Sequence, residues 1–210
     1  MVSLTHSNKA SAVKKAALAV SLIIALLISM APYAFAANET EDNTPVHTRK
    51  QEMLHEVADI LRGFGYAEDS EVIKALQKVW WQEQEDLNII AKVIRYEADP
   101  AYCDWEHSVA VGVVILNRVK CQWFKGDTVK EIVAAPGQYL ASYTYGFEGT
   151  PRLCYLAAKA AMDGNHEVPS NAYWQDNHVQ GKYIWKAFVC DTGWFRSTTY
   201  ICCGVPGTDD

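Results

Sequence analysis

Between Leu87 and Ala98 the side chains alternate with helical period, and the polar residues Asn88, Lys92 and Arg95 share one narrow stripe at about 100° per residue. Every other position is apolar except Glu97. That carboxylate falls about 280° round from Leu87, beside Ile90 and roughly opposite the polar stripe, where the pattern expects core or cleft. Apolar neighbours and the negative end of the helix dipole both favour its protonated form, which suits a general acid. The same period predicts helices over Gln51–Arg62, stopped by Gly63, and over Glu71–Gln82, capped by Ser70. Glu106–Lys120 is so rich in β-branched residues that a strand competes, but its length favours a helix. Thr128 can cap a short helix over Val129–Ala134, and Pro151–Met162 is amphipathic. Ala172–Trp174, Tyr183–Val189 and Ser197–Cys202 are aromatic and β-branched, as short antiparallel strands are. The expected fold class is α+β, mainly helical, with a small antiparallel sheet.

The first 36 residues read differently. Lys9, Lys14 and Lys15 precede an apolar run, Ala16–Met30, followed by Ala34-Phe35-Ala36, the small-x-small pattern of a cleavable signal peptide. The run is shorter than the roughly twenty residues a membrane span needs. An exported chain, with no membrane attachment after cleavage, is therefore expected. Residues 37–50 are polar and acidic and read as a disordered linker. Residues 51–85 read as a helical preface and 86–210 as the main domain.

Composition narrows the function. The 210 residues carry 19 Lys+Arg against 25 Asp+Glu, a net charge of −6. Loss of residues 1–36 removes three lysines and no acid, leaving −9. Binding nucleic acid through a broad basic surface is excluded. All six cysteines follow the signal, where disulfides can form, and fifteen pairings are conceivable. Cys103 and Cys121 flank a helix of about 21 Å, so they do not pair with each other. Cys154 reads as a buried thiol. With no Cys-x-x-Cys and no His pair at i and i+4, neither a metal nor another cofactor is expected. Asn117 and Arg118 at the end of the Glu106–Lys120 helix are candidate site groups, although helix-end capping and surface pairing are the simpler reading. Pro136-Gly137 forces a turn that presents Gln138 and Tyr139 on a loop, and Tyr139, Tyr143 and Tyr145 are candidates for stacking on sugar rings.

The segments Asp86-Leu87, Ile90–Ile94 and Tyr96-Glu97-Ala98, followed by Ile115–Val119, Pro136–Tyr139, Ala157–Ala161 and Gln180-Gly181-Lys182, resemble in order and spacing the SleB-type cell-wall hydrolases, which include spore-cortex-lytic enzymes. The resemblance implies a lysozyme-like, lytic-transglycosylase-like domain beside a peptidoglycan groove. It puts Glu97 at the catalytic glutamate, with Tyr96, Gln138, Tyr139, Tyr143 and Gln175 along the substrate. It also implies glycan strands of the wall or spore cortex as the partner. Two stretches depart from the family pattern: Asp99–Cys103 after the glutamate, and Trp194-Phe195-Arg196 near the C-terminus. Scission between N-acetylmuramic acid and N-acetylglucosamine needs an acid for the leaving oxygen. A hydrolase of the muramidase type also needs a second carboxylate, for which Asp99, Asp104, Glu106 and Glu148 are the candidates. Each reads more simply as a solvated acid, so the expectation is a lytic transglycosylase. A non-catalytic wall-binding module is the rival that would use the same aromatic groove.

Overall fold

A computed structural model describes residues 45–139, 144 and 149–207, which lie in one compact unit. The predicted signal peptide, most of the predicted linker, Tyr143, Tyr145 and Glu148 lie outside the described residues. No helix among the described residues is long and apolar enough to cross a membrane.

Among the described residues, five helices that the fold is built on precede the sheet: α1 (Arg49–Gly63), α2 (Glu71–Glu97), α3 (Trp105–Lys120), α4 (Val129–Ala134) and α5 (Arg152–Met162). The strands are β1 (Ala172–Asp176), β2 (Tyr183–Asp191) and β3 (Arg196–Cys203), antiparallel in the order β1-β3-β2. The architecture is therefore α+β and mainly helical, and the segment Glu106–Lys120 is a helix.

Two expectations are corrected. The linker ends earlier than its composition suggests, because Thr48 is fully buried and caps α1. Its hydroxyl accepts from the Gln51 amide at 3.2 Å, while the Gln51 side chain accepts from the Thr48 amide at 3.0 Å, a reciprocal capping box. The second correction is that the helices expected over 71–82 and 86–98 are one helix of 27 residues, about 40 Å long. Nothing in Glu83-Gln84-Glu85 breaks a helix, and buried Glu83 accepts from the Thr48 hydroxyl at 3.1 Å and Lys50 Nζ at 2.6 Å. The helical preface and Glu97 therefore share one rod.

The core forms around α3, which packs against α2, α5, α4 and β1. Fully buried Ile90, Ile94, Val111, Val114, Ile115 and Ala158 meet there. Gly112 allows the closest approach, since a Cβ at that position would lie 2.9 Å from Ala161 Cβ and 3.1 Å from Ile90 Cγ2. Two devices fix the end of α2. Ser108 of α3 donates to the Ala98 carbonyl at 2.6 Å, taking up an acceptor that the helix terminus leaves open. A disulfide, Cys103–Cys190, then ties the following loop to the end of β2. Cys121, Cys154, Cys202 and Cys203 are free thiols, with Cys154 fully buried as expected.

Candidate active site

Glu97 ends α2 and lines two neighbouring hollows. One, of about 420 Å³, is walled by Arg118, Gln138, Tyr139, Gln175, Asp176 and Gln180 together with Trp174, Ser197 and Thr199. The other, of about 290 Å³, is walled by Arg95, Tyr96, Asp99, Tyr102, the Cys103–Cys190 bridge and Thr192. Glu97 is thus common to the walls of both hollows. Its position follows from the helical pattern: Ile90, Val93 and Ile94 are buried, and Glu97 continues that side one turn beyond them, half-buried.

The larger hollow is built on Arg118. This side chain is 5% exposed, which overturns the reading of Asn117 and Arg118 as surface groups. Arg118 Nε donates to the Tyr173 carbonyl at 2.6 Å, and Nη1 donates to Gln138 Oε1. The guanidinium carbon lies 5.1 Å from the centre of the Tyr139 ring and 5.0 Å from that of Phe124, within cation–π range. Asn117, also buried, donates to the Pro169 and Ala172 carbonyls, both at 3.0 Å. The two residues together clamp β1 to the end of α3. Their burial follows from docking across more than fifty residues of sequence, which helical periodicity does not report.

Gln138 and Tyr139 follow the expected turn, in which Gly137 takes φ +74°, a conformation that favours glycine. Tyr139 lines the hollow but is only 5% exposed, with Arg118 over its ring and its hydroxyl donating to Gln175 Oε1 at 3.1 Å. It is a wall of the groove, with little ring face left for a sugar. Burial pushes its phenol up to about 12; Arg118 opposes this, while the charges of Glu97 and Asp176 reinforce it. Tyr96 is half exposed and faces the smaller hollow, and Gln175 faces the larger one.

Among the described acids considered for a second carboxylate, Asp99 pairs with Arg95 and accepts from the Ala101 amide at 3.0 Å. Glu106 pairs with Lys186. Asp104 precedes α3 as its N-cap. The acid that shares the larger hollow with Glu97 is Asp176, at the end of β1, together with its neighbour Gln180. The sequence gives little warning of Asp176, because the residue gains its place only when Asn117 and Arg118 dock β1.

Residues 104–197 match the family model described as Cell Wall Hydrolase. The match covers α3, α4, α5, β1, β2 and the start of β3, and begins just after Glu97. No curated protein and no solved structure matches the chain.

Proposed function

We propose that this chain, which belongs to the SleB-type cell wall hydrolase family, cuts the glycan strands of peptidoglycan as a lytic transglycosylase, with Glu97 as both acid and base. The observation that carries the proposal is the place of Glu97 in the walls of two neighbouring hollows. A glycan strand laid along them has sugar units on both sides of the carboxyl group, as scission within a chain requires. Glu97 gives its proton to the bridging oxygen as the bond from C1 of N-acetylmuramic acid breaks. The carboxylate left behind takes the proton of the muramyl C6 hydroxyl, whose oxygen bonds to C1. Water is not consumed, and Glu97 ends protonated as it began.

Two arguments favour this route over hydrolysis. Asp99 and Glu106 are engaged by Arg95 and Lys186, so neither is set to activate water. The C6 hydroxyl, by contrast, is tethered to the reacting sugar at high effective concentration. Tyr96, Gln138 and Gln175 serve as polar contacts along the strand, and Tyr139 serves as the wall behind them. With the N-terminal segment acting as an export signal, the enzyme works on wall or spore cortex outside the cytoplasm.

Glu97→Gln keeps the shape of the side chain without its titrating proton, so turnover of purified peptidoglycan falls by about 10² or more while the thermal transition stays in place. Mass spectrometry of the wild-type digest shows muropeptides about 18 mass units lighter than hydrolytic ones and resistant to borohydride. Near-normal turnover by the variant refutes the role of Glu97. Reducible ends from the wild type refute the transglycosylase route.

A further inference from the structure

We infer that Asp176 is the counter-charge of the reaction, a fixed carboxylate that stabilises the positive charge developing at the anomeric carbon while Glu97 handles the protons. The inference rests on the glycan-cleaving reading above and concerns the same groove. Four observations support it. Asp176 and Glu97 line one hollow, Asp176 from the end of β1 and Glu97 from the end of α2. The charge of each reaches the buried hydroxyl of Tyr139, which stands in the wall they share. The carboxylate is held from several sides: Oδ1 accepts from the Asn177 amide at 2.7 Å and lies 2.9 Å from His178 Nδ1, and Oδ2 accepts from Gln180 Nε2 at 2.6 Å. Finally, β1 itself is anchored by Asn117 and Arg118, so the acid sits on a rigid element.

The same contacts define what Asp176 does. A carboxylate offers about four acceptor positions, and here the Asn177 amide and Gln180 occupy two, with His178 Nδ1 lying beside Oδ1. A group so occupied is poorly placed to take a proton from water or to bond to carbon, but its charge still acts at a distance. In the proposed step the C1–O bond breaks as Glu97 protonates the leaving oxygen, and positive charge gathers on C1 and the ring oxygen. Asp176 stabilises that charge without gaining or losing a proton. When the C6 oxygen bonds to C1 the charge disappears, and Asp176 is unchanged. Because the charge exists only near the transition state, its stabilisation raises kcat and leaves KM nearly alone.

The test uses the full exported chain, purified glycan strands, and three readouts: kcat, KM and thermal midpoint. Asp176→Asn retains an oxygen acceptor for the Asn177 amide but removes the charge. It lowers kcat by about 10- to 100-fold with KM within about two-fold and the midpoint near that of the wild type. Asp176→Glu restores part of the loss. An Asp176→Asn enzyme with wild-type kcat overturns the inference, as does a loss that appears equally in KM. If Asp176→Asn loses its thermal transition, Gln180→Leu takes its place, since it spares the carboxylate and removes its shortest donor. In that variant kcat falls several-fold at unchanged KM, and an unchanged kcat overturns the inference. Glu97→Gln measured in parallel separates the two ideas: if it is inactive while Asp176→Asn is normal, only the counter-charge fails.

Discussion

His107 is fully buried in α3, its ring stacked on Phe188 at 4.9 Å with 3° between the planes, and neither ring nitrogen has a hydrogen-bond partner among the described residues. Burial drives its pKa down to about 4, against a small opposing effect of Asp104. The folded form therefore keeps a neutral imidazole where the unfolded chain takes up a proton. Stability is complete above about pH 6.5, declines as pH falls towards 4, and loses no more below that from this group; the whole loss is about 3 kcal/mol. His107→Phe retains the stack and removes the titration. Urea unfolding at pH 7, 5.5 and 4 shows a flatter pH dependence in the variant, and an unchanged slope would refute the assignment. Residues such as His107 and Asp176 were hidden in the sequence for one physical reason: their surroundings come from segments far along the chain, Phe188 for one and the clamped β1 for the other. Glu97 was legible because its place is set by its own helix, where angular position alone separates it from Asn88, Lys92 and Arg95.

Among the elements, the sequence located the helices and strands to within a few residues and misjudged continuity. Thr128 caps α4 by accepting from the Glu131 amide at 3.2 Å, and Ser70 caps α2 by accepting from the Ile73 amide at 3.4 Å, both as the residue types suggest. The 27-residue length of α2 was not visible, because the polar run Glu83-Gln84-Glu85 looks like a boundary until Thr48 and Lys50 supply partners for Glu83. The approach of α3 to α5 at Gly112 has a measurable cost attached. Gly112→Ala gains helix propensity but drives a methyl group against Ala161 and Ile90, and overpacking outweighs the gain, for a net loss of about 1–3 kcal/mol. Denaturant titration of the variant checks this, and Gly112→Ala with Ala161→Gly recovers much of the loss. If the single variant is as stable as the wild type, the helices have room to move apart.

At the scale of the whole molecule, Cys103–Cys190 closes a loop across 87 residues of sequence, from just after Glu97 to the end of β2, and forms part of the wall of the smaller hollow. Cross-linking so long a loop limits the unfolded chain, so Cys103→Ser with Cys190→Ser lowers stability by about 4 kcal/mol. The variant also loses turnover on long strands, because one side of the hollow beside Glu97 is no longer held. Thermal unfolding and digestion of glycan strands measure the two effects, and a double variant with the wild-type midpoint would contradict the first. The bridge also makes the chain covalently circular from Cys103 to Cys190, and that ring contains α3, α4, α5, β1 and most of β2. A protease that severs one peptide bond anywhere in the ring therefore frees no fragment. The nicked molecule gains one water but stays a single covalent species until a reductant opens the sulfur bond, so an intact band without reductant and two pieces with it would come from the same sample.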